Sequence, residues 1–436
     1  MTDLHPFRSP HGAHVLLVDG SRIYDVDEDS YAEAAVGKVP AGLRDAVRTQ
    51  YVDETAYRPG GLRALSLNVA QGCNMSCSYC YADEGRFGAH ARLMSVDMGR
   101  MAAERFLNQV PPGQDAVLGY MGGEPLLNAR VLHEVTRFAA DLAARRNISL
   151  RFSVTTNGTL LRDEDITLLG DFPFSVAISL DGGRATNDAQ RRLRNGQSAY
   201  DRTVEGIRKL TSAKRRPRHV SLRATVTPRS GELPMMLEDM FALGVDEAGF
   251  APVLASPDPK DMFDAADFDR FLTGMIACGE RAVGALSDRQ RFPFSNFETA
   301  LGEIHRGSHR PYPCGAAAGY ASVSAEGGLF GCHRAIDDPA FAIGSIEDGA
   351  DREAQRDFLE RRHVLQQEPC RTCWARFLCG GGCHQEVLAR GRVGCDYIRG
   401  WLEFCLSAYA DLSSRIPDYF DEPETFFKDQ SVEPFQ

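Results

Sequence analysis

The sequence predicts an α/β fold: a partial parallel barrel with a small N-terminal appendage and a cysteine-rich C-terminal domain. Three observations lead there. Short apolar runs alternate with helical periodicity from residue 62 onward, the pattern of strand–helix units feeding one parallel sheet. The stretches that follow those runs are rich in Gly, Cys, Asn and Asp, as befits functional loops at the C-terminal ends of barrel strands. From residue 314 onward, cysteines and glycines replace long periodic segments. Such a region buries too little apolar surface to hold itself together and calls for metal.

The elements follow in order. In the appendage, residues 1–60, apolar runs over 14–18 and 22–26 flank Asp19-Gly20, a hairpin signal. Helical stretches come next, near 29–35 and 42–50. The core, 61–257, holds strands near 64–69, 116–121, 149–156, 174–180, 220–226 and 247–253. Ser95 caps a helix whose spacing runs through Met98, Met101, Ala102, Arg105, Phe106 and Val110. Ser198 with Asp201 reads as a capping box opening a helix through Leu210. Residues 258–313 read as a helical linker, with runs over 265–285 and 296–306. The cysteine-rich domain is 314–410, and 411–436 is an acidic, aromatic tail.

Composition narrows the function. The chain has 436 residues with 49 basic and 60 acidic side chains, a net charge of −11. A hydrophobic share of 43% with 25% charged residues excludes general disorder. The acidic balance argues against a nucleic-acid partner. No run approaches the roughly 18 apolar residues of a membrane span, and MTDLHPFRSPHG has no apolar core of a secretory signal. The expectation is a cytoplasmic protein with no membrane partner. In a reducing compartment its twelve cysteines point to metal or chemistry rather than to disulfides. Cys278 stands apart from the others.

The segment QGCNMSCSYCYADEG sets Cys73, Cys77 and Cys80 in C-x3-C-x2-C spacing just after the first predicted strand. One loop can fold three thiolates around a four-iron cube and leave its fourth iron to a small molecule. The alternative is a zinc knuckle or structural cluster, for which His90 is the nearest further ligand. With Tyr79 before the last cysteine, the motif resembles the signature of radical S-adenosylmethionine (SAM) enzymes. Further motifs agree in order. MGGEP at 121–125, TTNGTLL at 155–161 and ISLDG at 178–182 each end a predicted strand, and NDAQR runs to Arg191.

The resemblance spans roughly residues 62–253 and implies a (β/α)6 radical SAM barrel whose cluster is held by Cys73, Cys77 and Cys80. It further implies that Gly122 and Gly123 let the backbone approach the methionine moiety of SAM, and that Glu124 accepts from its ammonium. Ser179 and Arg191 are candidates for its carboxylate, Arg through its two-pronged fork. Thr155 and Asn157 are candidates for ribose or methionine contacts and the Tyr79 backbone for the adenine edge. Asp181 of the SLDG segment joins the cofactor-binding set. Taken singly, GGEP could be a turn, SLDG a strand end and Arg191 a solvated charge.

The C-terminal cysteines run Cys314-x12-Gly327-x4-Cys332, then Cys370-x2-Cys373-x5-Cys379-x3-Cys383, then Cys395. An isolated C-x2-C pair reads first as a zinc ribbon, but the whole array resembles the SPASM extension, which houses two auxiliary [4Fe–4S] clusters. The resemblance gives Cys314, Cys332 and Cys383 to the first and Cys370, Cys373, Cys379 and Cys395 to the second. Cys405, ten residues beyond Cys395, is the competing ligand or a buried helix cysteine. Where the fully ligated family form has a further cysteine after the first, this chain has GAAAGYAS, which leaves an iron open to a substrate thiolate if neither Cys405 nor another group fills in. After Cys332, where sulfatase maturases place an aspartate base, stands His333 in GCHRAIDDPAFAIGSI. His333 reads either as a base or as a group that bonds a cluster sulfur or caps a turn, and His384 beside Cys383 is read the same way.

These segments, with CGGGCHQEV and GCDYIRGWLEFCLSAY, resemble thioether-forming peptide maturases, including that of the quinohemoprotein amine dehydrogenase. VLLVDGSRIYDVDEDSYAEAA resembles part of a peptide-binding winged-helix element; a lid over the barrel is the alternative. The implied activity is hydrogen abstraction by a 5′-deoxyadenosyl radical from a cysteine-containing peptide or small protein, forming a thioether or other side-chain crosslink. Its implied cofactors are SAM and three [4Fe–4S] clusters, with reduced flavodoxin or ferredoxin as electron donor. Formylglycine formation on a sulfatase or another peptide oxidation, and a non-catalytic zinc-stabilised peptide-binding scaffold, are the competing readings.

Overall fold

A computed structural model describes residues 3–48, 52, 61–253, 255–421 and 426. Six core strands, Ala64–Gln71, Asp115–Gly122, Ser149–Thr156, Phe174–Ser179, His219–Val226 and Glu247–Pro252, pair in parallel in chain order. This is the expected partial barrel, with strand ends close to the expected ones.

The two faces of this sheet differ in chemistry. Outward side chains such as Leu65, Leu67, Leu118, Phe152, Val154 and Phe174 are buried, packed with helices that include Val96–Gln109 and Ala129–Arg145. Each such burial contributes about 1.5–3 kcal/mol, so the outer face holds the fold. The two-residue alternation of a strand puts Ser66, Asn68, Gly119, Ser153, Thr155 and Ser179 on the opposite, inner face. Register keeps them together, with Ser66 beside Gly119 and Gly119 beside Ser153. A side-chain-filled interior is thus replaced by a trough lined with small and polar groups.

A strand not foreseen in the sequence, Tyr320–Val323, pairs in parallel with the first core strand, Tyr320 opposite Ala64 and Val323 opposite Leu67. Gly328–Phe330, Ala342–Ser345 and Gly349–Ala350 continue the sheet antiparallel. The cysteine-rich region therefore shares one sheet with the core. Helices Ala265–Ser287 and Ser295–His305 pack on the C-terminal helix Cys395–Arg415.

The appendage is a three-stranded meander, Leu4–Ser9, Gly12–Leu17 and Arg22–Val26, one strand more than the hairpin expected. Helix Glu28–Ala35 follows. The meander rests on the cysteine-rich side: His5 stacks on Trp374 at 3.8 Å and His11 bonds Asp411 at 2.9 Å. These contacts favour a seat against the C-terminal helix over a lid on the barrel. The helix expected over 42–50 is not formed in its described part. Short 3-10 turns, Ala41–Leu43 and Ala46–Arg48, stand there instead, with Gly42 lowering helical propensity, and residues 49 and 50 lie outside the described residues. Among the described residues, no helix is long and apolar enough to cross a membrane.

The Ser95 cap forms, accepting from Met98 N at 3.1 Å. The Ser198–Asp201 box does not. Helix Tyr200–Thr211 is capped by Asp188 of the preceding helix, whose carboxylate accepts from the Ser198 hydroxyl (2.5 Å) and from the Ala199 and Tyr200 amides (3.2 and 3.1 Å). Asp201 pairs with Arg184 instead. A nearby carboxylate, ionised and able to take several donors, outcompetes the local hydroxyl. Asp188→Ala should therefore cost about 1–2 kcal/mol, read as a lower urea midpoint with an unchanged slope.

Candidate cluster and cofactor site

The cysteine loop leaves the first core strand at its C-terminal end. Met75–Cys77 pairs antiparallel with Arg191–Leu193, Cys77 opposite Arg191, so two distant motifs form one small ribbon. Met75, Leu193 and Ala199 bury together beneath Cys73 and Cys77. The three thiols lie within electrostatic reach of one another. Burial pushes Cys73 up to about 12 and Cys77 up to about 11, so a metal must displace protons to bind them.

The GGEP turn supports this loop from below. Glu124 is fully buried. One carboxylate oxygen accepts from the Thr156 hydroxyl (2.7 Å) and Leu126 N (2.9 Å), the other from Asn157 N (2.7 Å). Burial raises its pKa while these donors lower it. Gly122, at φ +145°, and Gly123 are crowded on the Cβ side: a methyl group would meet the Ala70 carbonyl at the first and the Gly72 carbonyl and Gly85 Cα at the second. The space these glycines free is thus filled by the chain itself, which brings the cysteine loop against the second strand end.

Asn157 is likewise committed to the loop. Its Nδ2 donates to Asn74 Oδ1 at 2.9 Å and faces Cys73 Sγ at 3.8 Å, while its Oδ1 accepts from the Thr159 amide and hydroxyl. Thr155 points into the trough and its neighbour Thr156 bonds Glu124. Ser179 also lies on the inner face, opposite Arg223. Tyr79 is buried; its hydroxyl donates to Asp181 Oδ2 (2.7 Å) and accepts from Arg191 Nη1 (2.6 Å). Asp181 Oδ1 in turn accepts from Thr225 N at 2.9 Å. A buried Tyr–Asp–Arg triad thereby joins the cysteine loop to the fourth and fifth strands, and burial, opposed by Arg191, raises the Asp181 pKa.

The remaining cysteines come together in two further sets. Cys332 is within electrostatic reach of Cys383 and Cys314. Cys370 is within reach of Cys379, Cys395 and Cys373. A cavity of about 330 Å³ is lined by Cys370, Cys373, Cys379, Cys383 and Cys395. Cys405 joins neither: it is fully buried in the apolar core of the C-terminal helix, and burial alone raises its thiol. His333 Nδ1 shares a 3.0 Å hydrogen bond with the Tyr320 hydroxyl, which reaches Ser66 Oγ at 2.9 Å; burial pushes its pKa down to about 4. His384 accepts from Arg362 Nε at 3.0 Å and is pushed down to about 3 by burial.

One residue passed over in the sequence links two of these sets. Arg334 Nη1 lies 4.0 Å from Cys383 Sγ, its amide donates to Cys332 Sγ at 3.4 Å, and its guanidinium sits 4.5 Å over the ring of Tyr81, the neighbour of Cys80. Its adjacency to Cys332 was the available signal. Gly123→Ala should push the cysteine loop off the second strand end. After anaerobic iron–sulfur loading, this variant should hold about four fewer irons per chain than wild type, measured by colorimetric iron assay.

Residues 67–240 match the Radical SAM superfamily. The chain is 23% identical over 365 residues to a serine-type anaerobic sulfatase-maturating enzyme of Klebsiella aerogenes, covering 79% of this chain and 86% of that one. An uncharacterized protein of Archaeoglobus fulgidus is 26% identical over 338 residues, 75% and 76% of the two chains. The solved structure of anSMEcpe with bound AdoMet aligns at TM-score 0.69 and 17% identity, over 84% of this chain and 98% of that one. Streptococcus suis SuiB bound to precursor peptide SuiA aligns at TM-score 0.56 and 14% identity, over 90% and 98%.

The superfamily implies SAM and a [4Fe–4S] cluster, and the donor set fits that cluster. All twelve cysteines are free thiols. Among the described residues, no three His, Cys, Asp or Glu side chains close around a single-ion position. A cube seats each thiolate on its own iron, which three cysteines from one loop can supply. The match over residues 67–240 and the architecture shared with anSMEcpe give the chain a radical SAM fold.

Proposed function

We propose that this enzyme is a SPASM-type peptide maturase that joins a cysteine sulfur to an unactivated carbon of a peptide or small protein, forming a thioether or related side-chain crosslink. The observation that carries this reading is the gathering of ten cysteines into three spatial sets on a radical SAM fold. On this reading Cys73, Cys77 and Cys80 hold the SAM-binding cluster, and the other two sets hold auxiliary [4Fe–4S] clusters, three in all. When bound, SAM and the clusters supply one-electron chemistry for hydrogen abstraction and an exit for the surplus electron.

The chain's own residues bind, orient and shield. Arg191 offers its fork from a site braced by Tyr79 and Asp181, and Thr155 and Ser179 face the trough where a peptide side chain enters. Cys314, Cys332 and Cys383 supply three thiolates, and GAAAGYAS adds no fourth, so a substrate thiolate completes that set. Bond formation removes two hydrogens from the peptide: one as a hydrogen atom, the other as the thiol proton, with one electron leaving. His333, neutral and tied to Tyr320, suits a hydrogen-bonding role beside Cys332. A peptide substrate is in keeping with anSMEcpe, of which a structure with AdoMet and the Cp18Cys peptide aligns at TM-score 0.67 and 18% identity, over 82% of this chain and 100% of that one. Reduced flavodoxin or ferredoxin is the expected electron source.

Formylglycine formation on a sulfatase is the second reading, favoured by the sulfatase-maturating relatives. Tandem mass spectrometry of small cysteine-containing proteins co-expressed with the enzyme separates the two. A crosslink lowers the mass by two hydrogens per bond and consumes a free thiol, whereas formylglycine is trapped as an aldehyde. Cys77→Ala should abolish SAM cleavage, and the anaerobic wild type should carry about 12 irons per chain. A colourless zinc protein would end both readings.

A further inference from the structure

Among the described residues, several guanidinium groups approach the auxiliary cysteines. Four of them are matched by acids: Arg310 by Glu303, Arg334 by Glu386, Arg376 by Asp3 and Arg399 by Asp396. Arg362 and Arg392 differ. Arg362 is only 7% exposed; its Nε donates to His384 Nδ1 at 3.0 Å, and its Nη2 is buried with no hydrogen-bond partner. Arg392 donates to Gly381 O (2.8 Å), Gln367 Oε1 (2.6 Å) and Glu368 O (3.3 Å), all neutral acceptors. Gln367 in turn donates to Arg362 O at 2.6 Å, which ties the two arginines together. Arg392 lines the cavity of Cys370, Cys373, Cys379, Cys383 and Cys395.

A guanidinium buried like Arg362, beside a second one and without a carboxylate, is costly unless an anion lies beside it. Arg362 lies within electrostatic reach of Cys370 and Cys383, one from each auxiliary set, as well as of Arg392. We infer that Arg362 and Arg392 are positioning residues whose counter-anion is the pair of thiolate-ligated auxiliary clusters, and that their charge raises the reduction potential of those clusters. The inference rests on the auxiliary-cluster reading above. A thiolate-ligated cube gains one negative charge with each electron it takes up, so a fixed cation nearby favours its reduced form. At the first set, Arg191 already faces Asp181 through Tyr79, and Arg86, within reach of Cys80, is paired with Asp83. The charge distribution would therefore make clusters held by the auxiliary sets the better electron acceptors.

The test is potentiometric EPR of the anaerobic holoenzyme, with SAM added to mark the cluster on Cys73, Cys77 and Cys80. Arg362→Gln and Arg392→Gln should each move the auxiliary signals to more negative potential and leave the SAM-sensitive signal in place. Arg392→Lys, which keeps the charge but not the forked bonds, should retain the wild-type potential. Unmoved auxiliary potentials in the Gln variants at full iron content would overturn the inference, as would an equal shift in Lys and Gln variants. If a Gln variant loses auxiliary iron, retention of that iron by Arg392→Lys supports the inference and its loss overturns it. Wild-type protein with only about four irons removes the auxiliary-cluster reading itself, so iron content separates the two failures.

Discussion

The Glu124 carboxylate is the constraint on which the site depends. It is sealed from solvent and takes donors from the third strand end, Thr156 and Asn157, and from its own turn at Leu126. An ionised carboxylate in such a place is tolerable only when its oxygens are met by several donors. That requirement holds the second and third strand ends at a defined spacing. Asn157, positioned by its own amide, then reaches up to Asn74 and Cys73. The thiols are thus located by a chain of hydrogen bonds that begins in the barrel rather than by the loop's own rigidity.

Electrostatics divides the cysteines as clearly as distance does. The first set faces a compensated environment, with Asp181, Tyr79 and Arg191 balancing one another. The later sets lie among guanidinium groups, two of them without an acid. Cluster potentials follow local charge, burial and hydrogen bonds to sulfur. Three chemically similar ligand groups on one chain are therefore placed in different fields.

Much of this was legible beforehand, for identifiable reasons. The six core strands are long apolar runs with turn residues at their ends, and the Ser95 cap sits beside a strongly periodic helix, so local pattern and tertiary outcome agree. The motif residues lay at strand ends because glycine, asparagine and acid residues interrupt the runs there. What escaped was non-local or short. The ribbon joining Cys77 to Arg191 involves three residues on each side, too few for a period. Tyr320–Val323 offers four residues whose partner is some 250 positions away. Asp188 caps a helix from outside the local window, so the S-x-x-D pattern misled. Glu124 and Asn157 were picked out for SAM, yet the structure engages both in bracing the cysteine loop, a use that sequence spacing does not reveal.

The parallel pairing of Tyr320–Val323 with the first core strand bears on how the molecule works as a machine. Two domains joined by a tether could swing apart; two that share a hydrogen-bonded ladder move as one body. A rigid seam of this kind keeps the cysteine sets of core and C-terminal region at constant range, the condition that electron exchange between clusters would need on the proposed reading.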